Sequence, residues 1–304
     1  MVGNMRILSL FDCSLNNIKS YLPEIKRQGF DAIQISPLQN TKDDNSREWW
    51  MLYQPINFNL GNRLGSPYDL YELCNEARKH GLIIVADVVC NHLASTDNAG
   101  SLIPNERCDK DLLYNPDCWK EKRNIFNWED RYQVTNYCMG LPGLNPNNKI
   151  VQQKVIDMLN YYINLGVDGF RFDAAKSIAL PEEGCDFFKN ITYSMKKWLP
   201  IIYGEVLFSD RGLIERYAKY LKVLTNSDAN NRNDIIKFVE NKDSYLSKDM
   251  SYTKYVHMNE INEWYNNICK YFPNTLYYAR NYSNDWNAWR SEYIKNANLK
   301  LIKK

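Results

Sequence analysis

The chain has 304 residues, 44% hydrophobic and 24% charged, which can bury a sizeable core and excludes disorder as the default. With 38 Lys and Arg against 36 Asp and Glu, the formal charge is only +2, and no single-sign run supplies the basic stripe that holds nucleic acid. No stretch approaches the roughly 18 apolar residues of a membrane span, and the opening residues are too short an apolar run for a signal peptide, so the expectation is a soluble, cytoplasmic protein. Eight cysteines contain no CxxC pair, which argues against zinc ribbon and thioredoxin readings and for reduced thiols. An aromatic content of 13%, with 22 Tyr and 8 Trp, suits stacking on sugars, although large cores also use rings.

In chain order, residues 5–11 and 31–36 read as buried strands around a helix at 17–28, whose Ile18, Leu22 and Ile25 share one face. A helix at 70–80 ends at Gly81, and the near-continuous apolar run LIIVADVV at 82–89 reads as a parallel strand buried on both faces. Residues 92–146, rich in Asn, Asp, Pro and Trp, show little periodicity and read as a loop excursion with its own small core. Beyond it come a helix at 148–165, strands at 169–173, 201–206, 221–225, 235–240 and 276–279, and helices at 187–198 and 213–221. About eight strands alternating with helices predict a (β/α)8 TIM barrel formed by 1–91 and 147–304, with 92–146 inserted after the third strand. An open doubly wound sheet is the other architecture, but no GxGxxG or GxxxxGK follows any strand.

A barrel keeps its chemistry at the C-terminal ends of its strands. Those ends here read DVVCNH (87–92), GFRFDAAK (169–176), GEV (204–206) and FVENKD (238–243). Each carries a carboxylate. Singly they are ordinary helix caps; together, with Arg171 two residues before Asp173 on the same strand face, they suit cleavage of a glycosidic bond.

These four motifs, in this order, resemble those of the α-amylase family, glycoside hydrolase family 13. SREWWMLYQPINFNLGNRLGS (46–66), FNWEDRYQVTN (126–136) and TLYYARN (275–281) resemble the subgroup of animal and Bacillus-subtilis-type amylases. The resemblance implies a retaining hydrolase of α-1,4-linked glucans such as starch, glycogen or maltodextrins. Asp173 is then the nucleophile, Glu205 the general acid and base, and Asp243 the third carboxylate. It implies that His92 bonds the reacting glucose, with Asp87 its buried partner. Tyr53 becomes the platform under the cleaved sugar, Trp49 and Trp50 line neighbouring subsites, and Lys176 lies on the leaving-group side. Physically, Arg171 should keep Asp173 ionised while Glu205, in a drier place, holds its proton.

Departures from the family pattern carry their own expectations. Ser177 and Lys242 stand where the subgroup has histidines, and Lys242 falls in the reacting subsite. Gly143 occupies the place of the aspartate that ligates the family's calcium, leaving Asn91 as the recognisable side-chain ligand and weakening the hold on that ion. Arg171, Asn241 and Arg280 match the chloride-holding positions of the animal enzymes, the alternative being that they simply order carboxylates. The interval between the strands at 221–225 and 235–240 is too short for the usual barrel helix. The family's C-terminal β domain is expected to be missing, leaving a flank for a partner or a second copy. Two other functions share the scaffold: an α-glucan transglycosylase, and a catalytically weakened glucan-binding protein.

Overall fold

A computed structural model describes residues 5–27, 30–97, 100–206, 211–229, 252–256 and 276–280. Its strands and helices are β1 (Met5–Leu10), α1 (Leu15–Arg27), β2 (Ala32–Ile35), β3 (Gln39–Thr41), β4 (Pro55–Leu60), α2 (Pro67–Lys79) and β5 (Ile83–Val88). They continue with α3 (Lys110–Leu113), α4 (Arg131–Asn136), α5 (Lys149–Asn164), β6 (Gly169–Phe172), α6 (Phe187–Tyr193), β7 (Ile201–Val206), α7 (Arg211–Ala218), β8 (Lys222–Ala229), β9 (Tyr252–Val256) and β10 (Leu276–Arg280). Eight of the strands close into a barrel in the order β1, β2, β5, β6, β7, β8, β9, β10, with every neighbouring pair parallel. This is the expected (β/α)8 barrel. No helix among the described residues is long and apolar enough to cross a membrane.

Local chemistry explains where the helices begin. Ser66 and Asp69 form a reciprocal capping box at the start of α2, with Pro67 at its first turn. Asn148 caps α5 by accepting from the amides of Ile150 and Val151. Helix α2 stops at Gly81, whose φ of +64° is a left-handed conformation that suits glycine. Helix α6 ends at Tyr193, short of the 198 predicted from its pattern. Asn160, on α5, captures the departing backbone there, donating to the Ser194 carbonyl and accepting from the Lys196 amide.

The barrel interior is layered by the two-residue period of its strands. Ile7, Ala32, Val85, Ile201 and Tyr203 form a small inner apolar cluster. Gly169 completes that level because a Cβ there would lie 2.8 Å from the Ile201 carbonyl oxygen. One step towards the C-terminal mouth, the inner positions turn polar at Gln34, Asp87 and Arg171, and one step further they reach Asp173 and Glu205. The opposite strand faces, with Leu8, Ile33, Ile84, Phe170 and Phe172, join the larger core beneath the helices.

Two differences from the sequence reading concern strands. The seventh barrel place belongs to β9 (Tyr252–Val256), not to 235–240, which lies outside the described residues together with the rest of 230–251. The expected loss of the helix between strands six and seven falls in that same interval. YTKYV is short and its apolar residues are interrupted by Thr253 and Lys254, so a search for continuous apolar runs passes over it. The antiparallel pair β3 and β4 was not anticipated either, and it frames a 3₁₀ turn at Trp49–Tyr53. The stretch 92–146 is mostly irregular, as expected, and buries Leu112, Cys118, Val134, Cys138 and Leu144. Seven cysteines among the described residues are buried, unbridged thiols.

Candidate active site

Arg171 is the hub of the mouth. Its strand β6 lies between β5 and β7, so Asp87 and Tyr203 stand beside it in register. Nη1 donates to both Asp87 oxygens at 2.8 and 2.9 Å and to Asp173 Oδ1 at 2.8 Å. Nη2 lies 2.5 Å from Glu205 Oε1. One guanidinium therefore holds three carboxylates from three adjacent strands. Burial disfavours its charge, but Asp87, Glu205 and Asp173 outweigh that and hold it well above its ordinary pKa.

Asp87 is wholly buried, and burial raises it to about 6 against the pull of Arg171. It also accepts from the Tyr53 hydroxyl at 2.8 Å and from Gln34 Nε2 at 3.4 Å. Gln34 in turn accepts from the Tyr203 hydroxyl at 2.5 Å. This chain of donors satisfies charge that burial would otherwise make costly. Asp87 is thus the structural partner of Arg171 and Tyr53, whereas the resemblance paired it with His92.

Asp173 follows β6 directly, and the next residue, Ala174, takes a left-handed φ of 48° that turns the chain sharply away at the mouth. The Ala174 amide donates to Glu205 Oε2 at 3.3 Å. Glu205 was expected in the drier place; its side chain is instead the more exposed of the two, 16% against 11% for Asp173, because it sits at the outermost inner position of β7. Asp243, Lys242 and Asn241 lie outside the described residues. Arg280 ends β10 opposite Ser9, with only its backbone described. Of the residues expected to hold chloride, only Arg171 has a described side chain, and both its terminal nitrogens engage carboxylates.

The other predicted contacts surround this hub. The ring of Tyr53 stacks on Phe11, with centroids 6.0 Å apart, and meets Trp49 edge-on at 6.2 Å. Because residues 49–53 form a 3₁₀ turn rather than a strand, Trp49 is the tryptophan that extends the Tyr53 surface, and it is 49% exposed. Trp50, also expected to line a subsite, is half-buried with no ring contact to that surface among the described residues. His92 is buried, and its Nε2 donates to the Tyr53 carbonyl at 2.9 Å; burial drives its pKa down to about 4, with the Tyr53 bond opposing the fall. That hydrogen bond fixes the Trp49–Tyr53 turn, a positioning role beside the expected sugar contact. Lys176 places Nζ 4.7 Å from the Trp128 ring centroid; burial lowers its pKa while the nearby Glu205 opposes the shift.

Several contributors escaped the sequence reading. Arg131, at the start of α4, forks onto Glu183 at 2.9 and 2.8 Å and donates to the Lys176 carbonyl at 2.7 Å. It thereby holds the turn that follows Asp173. Lys120 is buried and donates to Asn91 Oδ1 at 2.7 Å and to the Ser177 carbonyl at 2.6 Å. Burial pulls its pKa down to about 7, with the nearby Cys138 and Cys185 opposing the shift and Arg131 adding to it. Asn91, expected as a calcium ligand, therefore spends its oxygen on an ammonium group, and the residues present do not fit a divalent cation there. The signal for Arg131 was the FNWEDRY motif; nothing local pointed to Lys120.

Fold and site together define a (β/α)8 barrel with a carboxylate cluster at the C-terminal mouth of its strands. The sequence pattern of the family called Alpha-amylase, described as alpha amylase, catalytic domain, matches residues 12–277. The chain belongs to that family. An alpha-amylase of Clostridium acetobutylicum is 40% identical over 217 residues, 66% of this chain and 28% of that protein. An alpha-amylase-related protein of Drosophila willistoni is 34% identical over 160 residues, 50% of this chain and 32% of that protein. The chain thus spans less than a third of the length of these relatives. Among solved structures, alpha-amylase I of the earthworm Eisenia fetida, as a mutant with maltohexaose, superposes with a TM-score of 0.72 at 18% identity, covering 93% of this chain and 68% of that one. The Geobacillus thermoleovorans alpha-amylase complexed with acarbose gives 0.69 at 18% identity over 98% of this chain and 78% of that one. At such identities the likeness is one of fold.

Proposed function

We propose that this chain is a retaining glycoside hydrolase that cleaves α-1,4-glucosidic bonds within starch, glycogen or maltodextrins. The observation that carries this reading is the attachment of Asp173 and Glu205 to two nitrogens of one Arg171 guanidinium. A shared anchor draws the two carboxyl groups towards each other, which suits double displacement with its separation of roughly 5 Å. Asp173 attacks the anomeric carbon as Glu205 donates a proton to the departing glycosidic oxygen. Glu205, now ionised, takes a proton from water, and the resulting hydroxide displaces Asp173 from the glycosyl-enzyme.

The Arg171 contact gives Glu205 a way to change roles. Ion-paired, Glu205 is a base; on gaining the acidic proton it gives up charge-assisted contact with Nη2 and turns to the substrate oxygen. Arg171 remains on Asp173 throughout and stabilises the carboxylate as leaving group in the second step. Tyr53 and Trp49 offer flat apolar faces to the sugar, and Lys176 with Trp128 lies towards the leaving-group side. The solved Eisenia complex contains maltohexaose, which supports a glucan as ligand class for this fold.

The test is product analysis of the purified chain on soluble starch and a defined malto-oligosaccharide, with Asp173→Asn as control. Shorter sugars, absent with the control, are expected. Longer sugars would redirect the reading to transfer, and glucan binding without turnover would redirect it to a binding protein.

A further inference from the structure

We infer that the ammonium of Lys120 is a built-in cation standing in for the calcium that the family resemblance placed between the 92–146 excursion and the barrel. The point is structural and does not depend on which bond the enzyme cleaves.

The two acceptors of Lys120 come from different parts of the barrel. Asn91 follows β5 and Ser177 lies in the turn after β6, while Lys120 itself belongs to the excursion. A single side chain therefore ties the excursion to two neighbouring strand ends, the mechanical task of a bridging metal. Further backbone bonds run alongside, from the Lys120 amide to the Gly143 carbonyl at 2.9 Å and from the Leu144 amide to the Asn91 carbonyl at 2.8 Å.

The lysine and Gly143 form a matched pair. A Cβ on Gly143 would lie 2.8 Å from Lys120 Cδ and 3.3 Å from its Cβ and Cγ. The methylene stem thus fills the volume that an aspartate at 143 would need. Exchanging that aspartate for glycine removes a carboxylate and at the same stroke admits the lysine. Calcium asks for six to eight oxygens, carboxylates among them; a lysine ammonium is satisfied by two or three neutral acceptors. Asn91 Oδ1 and the Ser177 carbonyl are such acceptors, and among the described residues no cluster of three His, Cys, Asp or Glu could hold a metal.

The experiment is thermal unfolding of the full chain after exhaustive EDTA treatment, then with calcium chloride added back, for the unmutated protein, Lys120→Met and the double variant Lys120→Ala with Gly143→Asp. The unmutated Tm is expected to be the same with EDTA and with calcium. Lys120→Met is expected to lower it by roughly 5–10 °C, because two buried oxygens lose their donor, with no recovery on adding calcium. The double variant, with the stem removed and the carboxylate present, is expected to gain Tm with calcium. A Tm of the unmutated protein that falls in EDTA and returns with calcium would overturn the inference. So would an unchanged Tm for Lys120→Met, or a double variant blind to calcium. If Lys120→Met does not fold, the unmutated protein and the double variant still decide the matter.

Discussion

Nη2 of Arg171 lies 2.5 Å from Oε1 of Glu205 while Nη1 of the same guanidinium holds Asp173. The proposed nucleophile and acid are thus spaced by a rigid planar fork, not by the softer geometry of two independent strands. Arg171→Lys keeps one charge but cannot span Asp87, Asp173 and Glu205. Turnover on a malto-oligosaccharide is expected to fall at least ~100-fold, the scale of a 1 Å misplacement. Arg171→Met should in addition cost about 3–5 kcal/mol in chemical denaturation, since it strands buried carboxylates.

Tyr53 combines a hydroxyl bound to Asp87 with a ring stacked on Phe11. Tyr53→Phe keeps the ring and removes the donor, so unfolding measurements should show a loss of about 1–3 kcal/mol with KM nearly unchanged. Tyr53→Ala should raise KM as well. A large KM effect in Tyr53→Phe would contradict this division of labour.

His92 gives a pH dependence with a definite sign. Burial lowers its folded pKa to about 4 from the ordinary value of about 6.5, so the unfolded chain takes up the proton first as pH falls. Its contribution to stability is whole above pH 6.5 and is lost progressively between 6.5 and 4, by up to about 3 kcal/mol. Asp87, whose folded pKa is raised to about 6, acts in the opposite direction over part of this window. Denaturation of His92→Gln beside the unmutated protein isolates the histidine, and the acid limb of the variant should be shallower.

Gly204 sits beside Glu205, where a Cβ would come within 2.5 Å of Leu221 Cδ1 and 2.6 Å of Ala175 Cβ. Gly204→Ala should destabilise the fold by about 1–3 kcal/mol and displace the proposed acid. Stability and kcat are both expected to fall, kcat by the greater factor; equal stability would refute the packing argument.

Arg131 fixes the turn carrying Lys176 through Glu183 and the Lys176 carbonyl. Arg131→Lys loses the bidentate fork and should cost about 1–3 kcal/mol. A double-mutant cycle with Glu183→Gln should show the two losses to be strongly non-additive.

Much of this was legible because it is local. The run LIIVADVV announces a strand buried on both faces, and GFRFDAAK places Arg171 and Asp173 on one side of β6 by the two-residue period alone. The helix expected at 148–165 begins beside its cap Asn148, whereas the one expected from 70 begins at Pro67, behind the Ser66 capping box that the apolar pattern does not show. Boundaries failed where a distant side chain intervened, as Asn160 does at the end of α6, and β9 was missed because Thr253 and Lys254 break its apolar run.

The sequence by itself determined the barrel's alternation, the order of its motifs and the carboxylates and arginine at its mouth, since these follow from spacing along one strand. Only the tertiary structure decided which groups share a proton or a charge. Tyr203 meets Gln34 across 169 residues, and Lys120 reaches Asn91 and Ser177 across 29 and 57. Such pairings arise from closure of the barrel and return of the excursion, which bring groups into a common low-dielectric space; no periodicity along the chain encodes that proximity.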